Sequence, residues 1–148
     1  MRAHPPPPVL MVDAVIEFVA ENYSEKVQHA VCQFAFNRSN TVVASKAIYK
    51  GTTYRTNMLV VLEETGDGFM LGKVCFILVH NGKNMYLVVQ KCHTVRCVDM
   101  GTQCFTNSVI DVEMDCLSIE ALHDYYPLVE YKTKFLTHVI LHHSIFSQ

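Results

Sequence analysis

Two apolar runs flank a polar break at Asn81-Gly82, and they are the most legible part of the chain. Met70, Leu71, Val74, Phe76, Ile77, Leu78 and Val79 precede the break; Met85, Tyr86, Leu87, Val88 and Val89 follow it. β-Branched and aromatic runs around an Asn-Gly pair predict two strands, residues 70–80 and 84–91, joined by a tight turn. Gly72, inside the first strand, predicts a bulge or a close backbone approach.

Upstream, Val12, Val15, Ile16 and Val19 fall at i, i+3, i+4 and i+7, which predicts a helix over 12–22. Residues 25–36 fit a short helix carrying Val27, Ala30 and Val31, then an extended piece. Residues 37–40 form a loop by their Asn and Ser turn chemistry. From Thr41 the pattern changes to short β-branched segments at 41–45, 47–49, 52–54 and 58–62. Lys50-Gly51 reads as a hairpin turn bringing Ile48 and Tyr49 to Thr53 and Tyr54. Residues 63–68 are a polar loop.

Downstream, residues 93–97 continue extended and 98–107 are looser around Gly101. Alternation of Val109, Asp111 and Glu113 with Ile110, Val112 and Met114 predicts a strand over 108–114. Ser118 can cap one helical turn over 118–123. Residues 124–131 must be extended around Pro127, and 135–145 read as a last strand. The fold class expected is α+β: an N-terminal helical segment followed by a small bent antiparallel β-sheet or SH3-like barrel. The organisation expected is a flexible Pro-rich lead-in at 1–11, the helical segment at 12–40 and a β-rich domain at 41–146.

Composition adds limits. The 148 residues suffice for one domain with a core, half are hydrophobic, and 18% are charged. The formal net charge of −2 does not imply nucleic-acid binding by bulk electrostatics, although a local basic face is compatible with it. The apolar run at 9–20 contains Asp13 and Glu17 and follows four prolines, unlike a secretory signal. No stretch reaches the roughly 18–20 apolar residues of a membrane helix. The expectation is an intracellular protein, in cytoplasm or nucleus, away from membranes and with reduced thiols.

Candidate chemistry is thin. Cys92, His93, Cys97 and Cys104 could suggest a metal, but paired short-loop spacing is lacking and a strand sends Cys92 and His93 to opposite faces. His138, His142 and His143 lie in a stretch that reads as a strand, where His138 and His142 would stand roughly 13 Å apart. Packed thiols and rim histidines are the simpler reading, so no metal ligand, cofactor or catalytic residue is assigned. A thiol nucleophile would need an activating context, and only Lys91 beside Cys92 and Arg96 beside Cys97 hint at one. Phosphate-cradling glycine motifs are absent.

A binding face is the remaining candidate. Lys46, Lys50, Arg55, Lys73, Lys83, Lys91 and Arg96 interleave with Tyr49, Tyr54, Phe69, Phe76 and Tyr86. Small β-barrels use such aromatics as core or as a platform. Tyr54, Phe69, Lys73, Tyr86 and Lys91 are the binding residues this pattern selects. Tyr125 and Tyr126 before Pro127 are read as structural closure.

Phe69, Gly72, Lys73 and Val74, then Val79, Asn81 and Gly82, the run 85–89 and Thr94 form a recognisable order. With Leu122, His123, Asp124, Tyr125, Tyr126, Pro127, Leu128, Val129, Glu130 and Tyr131, and the ending Leu141, His142, His143, Ser144 and Ile145, it resembles the C-terminal β-rich domain of uncharacterised, multi-copy, mobile-element-derived proteins of fish and other animal genomes. The resemblance spans residues 41–145 and rests on framework residues. Leu71 departs from it, standing where an aromatic is common, as does the stretch after Thr94. It implies a copy lacking its upstream part and carries over no catalytic residue. A second, fold-level similarity is to SH3-like barrels of the bromo-adjacent type; it does not imply a function.

Together these lead to a non-enzymatic interaction module with a protein or nucleoprotein partner, an accessory domain of a mobile-element-derived protein. Two alternatives stay open: single-stranded nucleic-acid binding through a β-barrel face, and a Cys/His metal-dependent or thiol enzyme.

Overall fold

The computed structural model describes the backbone at residues 9–13, 15–64, 69–93, 95–97, 102–106, 113–122, 124–132 and 136–140, and side chains within 15–63, 70–92 and 113–122. In chain order the strands are β1 (Val9–Asp13), β2 (Ile16–Glu17), β3 (Thr41–Ala44), β4 (Lys46–Tyr49), β5 (Thr52–Arg55), β6 (Leu59–Glu64), β7 (Phe69–His80) and β8 (Asn84–His93). There follow β9 (Val95–Cys97), β10 (Thr102–Thr106), β11 (Met114–Ser118), β12 (Asp124–Lys132) and β13 (Leu136–Ile140). One α-helix, α1 (Glu25–Val31), and 3-10 turns at Ala20–Asn22 and Ile119–Ala121 complete the described elements.

The expected N-terminal helical segment is not formed, which overturns the expected fold class: the amino-terminal part is mainly extended. Strand β1 pairs with β4, so residues 9–11 of the expected lead-in lie in a strand. Strand β2 pairs with β3, and Phe18 N–H donates to the Thr41 carbonyl at 2.9 Å. The helical stripe would have buried Val15 and Ile16, yet these are 46% and 60% exposed, whereas Phe18, off the stripe, is wholly buried. A β-branched run also satisfies a strand, and available pairing partners outweigh a propensity worth only tenths of a kcal/mol per residue. The helix that does form starts at Ser24, whose Oγ accepts from Val27 N–H at 3.3 Å. It buries Val27, Ala30 and Val31, as the 25–36 pattern predicted.

The centre is the β7–β8 hairpin. The pairing runs from His80 opposite Asn84 to Met70 opposite His93. Asn81 and Gly82 have φ of 54° and 70°, the positive pair that a right-twisted hairpin requires. A bulge at Cys75 shifts the register between Val74 and Phe76. Gly72 lies three residues before it and answers to close approach: a Cβ there would stand 2.9 Å from Val89 Cβ. The β4–β5 turn is of the same kind, with Lys50 at φ 47° and Gly51 at 85° and Tyr49 opposite Thr52.

The large sheet runs β11-β8-β7-β6-β12-β13-β10-β9, with β3 also on β7, and the small sheet runs β1-β4-β5. All pairings are antiparallel. One residue separates β8 from β9, yet β9 is reached through five other strands, so the large sheet must curl back toward its own hairpin. Strand β10 corrects the expectation of a looser stretch over 98–107. The strand expected at 108–114 has only Glu113 and Met114 within the described residues; the strand observed there begins at Met114. The turn over Ile119–Ala121 forms as expected, Ser118 Oγ accepting from Glu120 N–H at 3.2 Å.

Each face of the hairpin has its own core. On one, Val74, Ile77, Val79, Met85, Leu87 and Val89 pack with Ala47, Tyr49 and Tyr54 of the small sheet and with Ile119. On the other, Leu78, Val88 and Cys116 pack with Phe18 and α1. Around this second core lies an aromatic layer: Tyr23 is 4.9 Å from Phe76, and Tyr86 is 5.0 Å from both Phe34 and Phe36. The loop at 37–40 is tied to the hairpin turn by Asn81 N–H donating to the Asn40 carbonyl at 2.7 Å. Thr41 Oγ1 donates to Asn40 Oδ1 at 2.7 Å and lies 3.0 Å from His80 Nδ1, which satisfies the one buried polar residue among those described.

Candidate functional site

The five selected binding residues do not share one surface. Directly opposed residues of antiparallel neighbours share a face, and Lys73 lies opposite Gln90, in the alternation that contains Val88 and Tyr86. Lys73 and Tyr86 therefore belong to the aromatic side, about four residues or 13 Å apart along β8. Lys91 lies opposite Gly72, on the side of Val89, and Tyr54 is wholly buried in that core. A base cannot stack on a buried ring, so Tyr54 and Tyr86 do not make one platform. Phe69 begins β7 opposite Glu64; its side chain lies outside those described.

Lys91 is occupied structurally. Its Nζ is 3.5 Å from Glu113 Oε2 and 3.7 Å from Asp115 Oδ2, and its N–H donates to the Glu113 carbonyl at 2.8 Å. Asp115 Oδ1 also accepts from Cys116 N–H at 2.8 Å. A carboxylate thus covers a donor on β11, which among the described strands pairs with β8 alone.

What the fold does assemble is a cleft at the end of the sheet where the two hairpin turns meet the turn after β11. It has a volume of about 270 Å³ and is lined by Tyr49 and Lys50 from one turn, residues 83–86 from the other, and Ser118, Ile119 and Glu120. Both turns need their positive-φ residues, and each places a lysine at the rim. Lys50 Nζ lies 5.2 Å from the centre of the Tyr49 ring and 3.6 Å from Glu120 Oε1. Lys83 N–H donates to the His80 carbonyl at 3.2 Å, which fixes its backbone, and its ammonium has no ion pair among the described residues. Tyr86 belongs to both the cleft and the aromatic layer, half-buried. Lys50, Lys83, Tyr49 and Tyr86 all stood in the wider basic and aromatic set read from sequence. Ser118 and Glu120 did not, because β11 is brought beside β8 by pairing across a gap of some thirty residues of sequence.

None of the described thiols is in a disulfide. Cys32 is exposed, Cys116 is buried, and Cys75 and Cys92 are intermediate. Burial pushes the Cys116 thiol up to about 12, with Asp115 adding to it. Burial also raises Cys75, against a lowering from a hydrogen bond with the Gln90 backbone and from the Lys73 charge. Cys92 Sγ is 3.7 Å from the Gln90 carbonyl. Among the residues whose side chains are described, no three His, Cys, Asp or Glu come together as a metal would need, and no helix among the described residues is long and apolar enough to cross a membrane. No family model matches the chain, and neither a curated protein nor a solved structure is matched by it.

Proposed function

We propose that the protein is a non-enzymatic interaction module that takes a short acidic segment of a protein partner in the cleft between its two hairpin turns. The observation that carries this reading is the lining of the cleft: a lysine at position 83 with no ion pair among the described residues and a Lys50–Glu120 pair line, with Tyr49, Tyr86 and Met85, a hollow of about 270 Å³. Tyrosine gives contact area at small conformational cost, and a lysine without an internal partner is a point charge for a carboxylate. The hollow is at the small end of ligand sites, which suits a few residues of a peptide rather than a folded surface. An accessory domain of a mobile-element-derived protein is the setting we infer from the sequence resemblance, with a nucleoprotein as the wider partner.

A fluorescein-labelled Asp/Glu-rich decapeptide tests it, with a Lys-rich decapeptide and oligo-dT as comparators. Binding of the acidic peptide, weakened about tenfold by Lys83→Glu, roughly 1.4 kcal/mol, is the result expected. Amide shifts in the NMR spectrum should centre on Lys83, Asn84 and Glu120. Equal affinity of wild type and Lys83→Glu, or binding of oligo-dT alone, sinks the reading.

A further inference from the structure

Two cations and one carboxylate line the cleft between the hairpin turns: Lys50, Lys83 and Glu120. Lys50 Nζ stands 3.6 Å from Glu120 Oε1, and both side chains of this pair are more than half exposed. Such a pair holds weakly, because water solvates each partner well. Each member is also anchored without the other. Lys50 Nζ lies 5.2 Å from the centre of the Tyr49 ring, within cation–π reach. Glu120 belongs to the turn Ile119–Ala121, which Ser118 caps and which is pinned by buried Ile119 and Leu122. Its backbone is therefore fixed while its carboxylate can turn away into solvent.

We propose that Glu120 is a resident competitor, its carboxylate occupying the place on Lys50 that a carboxylate of the partner segment takes on binding. This rests on the acidic-segment reading of the cleft and adds that the segment is diacidic. One acid goes to Lys83, and the second displaces Glu120 from Lys50. The exchange trades one exposed ion pair for another, and it needs only a side-chain rotation of Glu120. The resident charge sets selectivity as well as strength. It opposes any anion that does not displace it, so a segment with one acid gains from Lys83 alone. Removing the carboxylate leaves two cations at the cleft, of which Lys50 is still held by the Tyr49 ring.

The test is the affinity of the full chain for the labelled Asp/Glu-rich decapeptide, by fluorescence anisotropy at physiological salt. Glu120→Gln should bind it roughly threefold tighter than wild type, about 0.7 kcal/mol. Lys50→Gln should cost more affinity in the Glu120→Gln background than in wild type, because only there does the peptide meet an unopposed Lys50. Glu113→Gln is the control for net charge. Glu113 is five residues along the strand from Ser118, roughly 17 Å, beyond the screening length of about 8 Å, so this variant should bind as wild type does. Equal tightening by Glu113→Gln overturns the proposal. Unchanged or weaker binding by Glu120→Gln, with Lys83→Glu still weakening, overturns it too and leaves the acidic-segment reading standing. Absence of binding by both wild type and Glu120→Gln sinks the two together.

Discussion

Gly72 lies against Val89 so closely that a Cβ on the glycine would stand 2.9 Å from Val89 Cβ and 3.1 Å from Val89 Cγ1. The contact is made between β7 and β8, where Gly72 is buried and Val89 wholly so, and the neighbour is a Cβ that cannot swing away. Gly72→Ala is therefore expected to cost about 1–3 kcal/mol, the usual range for overpacking. Urea denaturation of the single variants and of Gly72→Ala with Val89→Gly gives the check. The double variant should be less destabilised than the sum, because removing the Val89 side chain together with its Cβ relieves the clash. Additive losses would show that the contact is not what requires glycine.

Gly51 and Gly82 are glycines for another reason. Their φ values are 85° and 70°, and nothing lies within 4 Å of a Cβ at either place. Gly51→Ala and Gly82→Ala should each cost roughly 1–2 kcal/mol through backbone conformation alone. No core substitution should relieve either loss, which separates these two sites from Gly72 in the same denaturation series.

This difference marks what was legible in the chain. Turn chemistry and apolar runs are local, so the 70–80 and 84–91 strands, both hairpin turns and the Ser118 turn could be read directly. The stretch at 12–22 could not, because a valine-rich run serves helix and strand alike and the choice belongs to the partners β3 and β4 supply. The candidate cleft was legible only in part. Its lysines and tyrosines sit at readable turns, while Ser118 and Glu120 arrive by long-range pairing of β11 with β8. Tyr54 shows the limit most plainly: in the sequence it is an aromatic among lysines, and only the packing of the small sheet on the large one buries it.

Lys91 provides a prediction about charge. It is about a quarter exposed and faces two carboxylates, Glu113 and Asp115. Lys91→Gln removes the cation and leaves like charges together, so a loss of about 0.5–1.5 kcal/mol is expected at low salt, discounted for the exposure of Glu113. Raising the salt should shrink the loss by screening the carboxylate pair. A Lys91→Gln variant as stable as wild type at low ionic strength would show that the pair is too solvated to contribute.

The buried thiol sets an alkaline limit. Cys116 is raised from 9.0 to about 12 by burial first and by Asp115 second, and Cys75 and Tyr23 are raised by burial as well. A group raised in the folded state keeps its proton there while the unfolded chain loses it. Its contribution is full below pH 9 and falls as pH climbs from about 9 toward 12. Stability should therefore decline across that window, and Cys116→Ala should flatten the decline while costing some packing at neutral pH. Alkylation gives a parallel readout at pH 8: exposed Cys32 should react with iodoacetamide first, and Cys116 only at the rate of unfolding. Equal labelling of Cys32 and Cys116 in the folded protein would contradict the placement of β11 against α1, because that packing is what keeps the thiol from solvent.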